Sequence, residues 1–109
     1  MTDVLPAEWG ASWDGKVLVL APKLDLGRRL EVRKARFGRS LIDLVAERTM
    51  GRTIIKVAHR FGPVVRLRLE WSQPEPIVGV LYGEEELPPG PVSFLVDREH
   101  EVQFLTAES

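Results

Sequence analysis

The 109-residue sequence contains no cysteine, which excludes disulfide frameworks, thiolate zinc sites, iron–sulfur clusters and cysteine nucleophiles. Asparagine is also absent, glutamine occurs only as Gln73 and Gln103, and eleven arginines stand against four lysines. So few thermolabile side chains fit a heat-adapted, thermostable bacterial protein, and fit a GC-rich genome equally well. No apolar run approaches the roughly 18 residues of a membrane span. Met1-Thr2-Asp3 is acidic where a secretory leader is basic, so the expected location is the cytoplasm, with no membrane partner.

Catalytic motifs are equally scarce. Gly10-Ala11-Ser12-Trp13-Asp14-Gly15-Lys16 matches half of a phosphate-binding loop, but that loop must open a helix, whereas Lys16 opens an apolar, strand-like run. Val17 also replaces the hydroxyl that would hold magnesium. The two histidines, His59 and His100, have no second histidine at ligand spacing, and no serine lies in a nucleophile elbow. Glu84-Glu85-Glu86 reads as a solvated charge run rather than a cation site, which draws ligands from separated positions. The expectation is a nonenzymatic protein with no cofactor, metal or small-molecule substrate.

What the sequence does have is segregated charge. Met1 to Gly27 carries two basic and four acidic residues, Arg28 to Arg68 twelve basic and three acidic, and Leu69 to Ser109 one basic and nine acidic. A net charge of −1 therefore hides a basic middle and an acidic C-terminal third, an asymmetry that points to anionic partners or to self-complementary assembly.

With 44% hydrophobic and 28% charged residues the chain suits one domain. Residues 1–14 read as an irregular arm, pinned by Trp9 and Trp13, ahead of a single α+β domain over 15–109. Lys16 to Leu20 and Arg29 to Arg33 read as strands, with Lys23 to Gly27 turning between them. One short helix is expected from Ser40, capped by that hydroxyl, striped by Leu41, Leu44 and Val45, and ended at Gly51 beside Arg48 and Arg52.

Thr53 to Arg60 and Pro63 to Trp71 read as a hairpin about Phe61-Gly62. A bulge with Gly62 in the left-handed conformation sets Val57 opposite Val65 and Ile55 opposite Leu67. That register gathers Lys56, Arg60, Arg66 and Arg68 on one outer face. After a further strand, Ile77 to Tyr82, a closing hairpin of Val92–Asp97 and Glu101–Thr106 would oppose Phe94 to Phe104 and Val96 to Val102. The expected order is β-β-α-β-β-β-β-β, the helix packed on an antiparallel sheet that is open or closed into a barrel.

The candidate binding residues are the basic ones. Arg28, Arg29, Arg33, Lys34, Arg36 and Arg39 lead into the expected helix, and Lys56, Arg60, Arg66 and Arg68 share the expected sheet face. Two function classes compete. One is a protein-interaction module, self-associating or part of a larger assembly, because opposite blocks of charge suit contacts between subunits. The other is a nucleic-acid-binding module holding DNA or RNA phosphates without reading sequence. The acidic C-terminal third would repel nucleic acid, which favours the first.

Overall fold

The structure, a computed structural model, describes residues 7–106. Residues 1–6 of the expected arm and 107–109 of the expected domain lie outside the described residues. The chain forms two β-sheets, and among the described residues the helical content is one turn of 3-10 helix at Ala7–Trp9. The first sheet contains β1 (Ser12–Trp13), β2 (Val17–Leu20), β6 (Val65–Leu69) and β9 (Val92–Val96), in the order β1-β2-β6-β9. The second contains β3 (Arg29–Phe37), β4 (Ser40–Thr49), β5 (Arg52–Phe61), β7 (Ile77–Tyr82), β8 (Glu85–Leu87) and β10 (Glu99–Thr106), in the order β3-β4-β5-β10-β7-β8. Pairing is antiparallel except between β2 and β6.

The expected α+β class is therefore overturned: the segment from Ser40 to Thr49 is the ten-residue strand β4. Its Ser40, Ile42, Leu44, Ala46 and Arg48 are buried while the residues between are half-buried, a period of two rather than 3.6. The hydroxyl expected to cap a helix, and the carboxylate three residues on, serve other segments instead. The Ser40 hydroxyl donates to the Pro63 carbonyl at 2.5 Å, and the Asp43 carboxylate accepts the Lys34 N–H at 2.8 Å. Gly51 does end the element, but in a two-residue turn to β5, with φ +84°.

Both expected hairpins are overturned as well. β5 pairs with β4 and β10, so Val57 faces Leu44 and His100, while Val65 faces Val96 in the other sheet and Leu67 faces Leu18 and Phe94. Phe94 and Phe104 likewise lie in different sheets. The chain passes between the layers at β2–β3, β5–β6, β6–β7, β8–β9 and β9–β10. Gly62, in the β5–β6 crossing, does take the left-handed conformation, with φ +90°.

The two sheets close on one core. Leu18, Leu20, Val65, Leu67, Leu69 and Val96 from the first sheet meet Ile42, Leu44, Ile55, Val57, Val102 and Phe104 from the second. Trp9 is fully buried in this core, and Trp13, expected in an irregular arm, belongs to β1 and meets Phe37 of β3 edge to face at 5.9 Å. At the opposite margin Phe94 of β9 lies 5.1 Å from Tyr82 of β7. β9 thus meets β7 across the core at this margin, and Leu87 of β8 packs against the same core. Among the described residues no helix is long and apolar enough to cross a membrane.

Candidate interaction edges

The ten candidate basic residues do not share a face. Lys56 and Arg60 point outward from the six-stranded sheet, and Arg66 and Arg68 point outward from the four-stranded sheet on the other side of the core. The expected merger of these four is overturned for the same reason as the hairpin: alternation fixes which side chains face the core, and both layers satisfy it.

Six of the ten already hold carboxylates. Arg28 meets Glu8 at 3.0 Å, Arg29 lies between Glu31 and Glu47, Arg33 meets Glu31 at 3.0 Å, Lys56 meets Glu101 at 3.7 Å, Arg60 meets Asp43 at 2.6 Å and Arg68 meets Glu70 at 2.8 Å. Among the described residues Lys34, Arg36, Arg39 and Arg66 have no ion-pair partner. Arg36 and Arg39 lie at the turn end of the β3–β4 hairpin, Lys34 lies in the bulge of β3, and Arg66 stands on β6.

Asp43 organises the β3 margin. Arg33 and Lys34 form a bulge opposite it, with Lys34 at φ +54°, and its carboxylate accepts from both the Lys34 N–H and the Arg60 guanidinium. Burial raises the Asp43 pKa, but the hydrogen bonds from Lys34 and Arg60 outweigh it and hold the carboxyl below the usual aspartate value.

The residues weighed for catalysis have structural positions. Asp14 accepts the N–H groups of Lys16 and Val17, both at 2.8 Å, so the amides of the phosphate-loop look-alike serve the turn into β2. His59 meets the Gly62 carbonyl at 2.7 Å. His100 is buried, with Nδ1 2.7 Å from the Tyr82 hydroxyl and Nε2 2.9 Å from an Asp97 carboxylate oxygen. A carboxylate only accepts, so Nε2 donates, and in the neutral ring Nδ1 accepts a hydrogen bond from the Tyr82 hydroxyl. Burial pushes the Tyr82 phenol up, and the hydrogen bond from His100 holds Asp97 below the ordinary range. These groups tie β7, β10 and the β9–β10 turn together beneath Phe94, whose ring lies 4.8 Å from that of His100.

What sequence reasoning missed is the set of edges, because an edge exists only once strand order is known. β3 presents Arg29, Glu31, Arg33, Lys34 and Arg36 and carries the bulge; charge and a bulge both discourage strand addition. β8 is three residues long and follows Glu84 with Glu85 and Glu86. β1 has two residues. β9, Val-Ser-Phe-Leu-Val, has no charge, no proline and no bulge.

Along β9, Val92 and Val96 are buried, Phe94 is half-buried, and Ser93 and Leu95 are exposed. The Leu95 carbonyl accepts from the Asp97 N–H at 3.1 Å, so it points away from β6, and by the two-residue period Ser93 presents its backbone on the same free side. Beside β9 the β7–β8 hairpin offers half-buried Tyr82 and Leu87 as a shelf. At its Pro91 end a groove of ≈ 470 Å³ is lined by Trp71, Pro76, Ile77, Pro89 and Pro91. No protein-family model, curated protein or solved structure matches this chain.

Proposed function

We propose that the protein is a nonenzymatic interaction module that takes up an extended segment of a partner protein along β9. The observation that carries this reading is the contrast among the four sheet edges of the described residues, where β9 alone has neither charge, bulge nor brevity to turn a strand away. Strand addition draws affinity from main-chain hydrogen bonds and specificity from alternate side chains. The alternate side chains of an added strand would meet the β7–β8 shelf on one side, and the Trp71–Pro91 groove lies at the end of its path.

The nucleic-acid alternative has less support, since the basic residues are divided between opposite faces and six of them are ion-paired.

The test is a random-peptide display selection on the intact protein. Selected peptides should alternate apolar residues, and their affinity should fall at least about tenfold, or 1.4 kcal/mol, in Ser93→Pro, which removes a backbone donor on the free side, and in Leu95→Lys. Both variants should keep the wild-type melting temperature within a few degrees. Peptides that bind both variants as tightly as the wild type would sink the reading.

A further inference from the structure

A second pair of edges supports a different contact. Following the pairing register across the six-stranded sheet, Arg29, Glu47, Ile54, Gln103, Leu81 and Glu86 occupy one rung. The rung begins with an exposed arginine on one free edge and ends with an exposed glutamate on the other. The edges as wholes are opposed in the same sense: β3 holds four basic residues and one acidic, while Glu84, Glu85 and Glu86 have no ion-pair partner among the described residues.

We infer that copies of this chain associate head to tail, the acidic β8 edge of one against the basic β3 edge of the next, to extend the six-stranded sheet. Strand direction permits it without rotation. Five successive antiparallel pairings lead from β3 to β8, so the two edges run in opposite directions, and a copy displaced along the rungs meets its neighbour antiparallel.

That displacement sets Glu86 beside Arg29 of the next copy, and Glu85 beside Leu30. Glu84 falls near Glu31, whose charge Arg29 and Arg33 already offset at 3.8 and 3.0 Å. Charged edges that repel their own kind thus attract each other. The contact is heterologous, so it propagates unless it closes into a ring. Three residues of β8 make a small interface, and the association is correspondingly weak, reversible and sensitive to salt.

Sedimentation equilibrium of the full chain at low ionic strength tests this. The weight-average mass should rise with protein concentration and return to the monomer value at about 0.5 M salt, where charges are screened within a few ångströms. Two charge-reversed variants, Glu84→Lys/Glu85→Lys/Glu86→Lys and Arg29→Glu/Arg33→Glu/Arg36→Glu, should each remain monomeric alone, because both edges of each then carry one sign. Mixed in equal amounts they should regain the mass of the wild type, a recovery that a misfolded variant would not give.

A wild type that stays monomeric at millimolar concentration and low salt would overturn the inference. So would variants that assemble alone, or a mixture that fails to assemble. Ser93→Pro should assemble as the wild type does, which separates this contact from strand addition at β9.

Discussion

The Asp43 carboxylate and the Arg60 guanidinium meet at 2.6 Å across neighbouring strands, and the same carboxylate accepts the N–H of Lys34, which closes the bulge in β3. One side chain thereby fixes two features of the six-stranded sheet: the left-handed Lys34 and the position of Arg60 at the end of β5. Asp43→Ala removes both acceptors and should cost about 1–3 kcal/mol. Asp43→Asn keeps an acceptor for Lys34 and should cost less.

The sign of the pH effect follows from the lowered pKa of Asp43. A carboxyl held below its unfolded value stabilises the fold above the ordinary aspartate pKa of about 3.9, and that contribution is lost as pH falls through the folded value. Asp14 and Asp97 are lowered as well, by the N–H groups of Val17 and Lys16 and by His100 respectively, and act in the same direction. Melting temperatures recorded from pH 6 down to pH 2 should fall less steeply for Asp43→Asn than for the wild type. Parallel curves would deny Asp43 this role.

Gly62 shows how closely the layer crossing is built. Its φ is +90°, and a Cβ there would lie 2.2 Å from the Arg39 carbonyl oxygen, with backbone rather than a flexible side chain in the way. Gly83, in the β7–β8 turn, also has positive φ, +62°, but open space around it. Gly83→Ala should therefore cost only the left-handed penalty of about 1–2 kcal/mol. Gly62→Ala adds a backbone clash and should cost more, which urea unfolding of the two variants will rank. Equal losses would show that the β5–β6 crossing has room to move.

Sequence alternation disclosed facing but not layering. Val65, Leu67 and Leu69 point inward, and Arg66 and Arg68 outward, as their spacing requires. Ile55 and Val57 are buried, also as expected. The side-by-side pairing of these strands is not contained in that pattern, since a strand stacked above another turns the same residues to the core. The β4 segment misled differently: Leu41, Leu44 and Val45 make a helical stripe, but Ile42, Leu44 and Ala46 make an alternating one, and both begin at a residue able to cap. Packing between two sheets decided between them, as tertiary context commonly overrides local preference. The rung that joins Arg29 to Glu86 crosses all six strands, so no local stretch of sequence displays it.

Leu67 and Leu95 separate what holds the sandwich together from what it offers outward. Leu67 is fully buried on β6, flanked by Leu18 of β2 and Phe94 of β9, at the centre of the smaller sheet. Leu67→Ala should cost about 3–5 kcal/mol, the loss expected when a buried leucine leaves a cavity that its neighbours cannot fill. For a domain near 100 residues this lowers the melting temperature by at least about 12 °C, at 4–8 °C per kcal/mol. Leu95 is 46% exposed on the free edge and lies outside the buried core. Leu95→Ala should stay within about 0.5 kcal/mol of the wild type. A large loss at Leu95 would mean that it serves the core rather than a partner, and would remove it from the β9 surface.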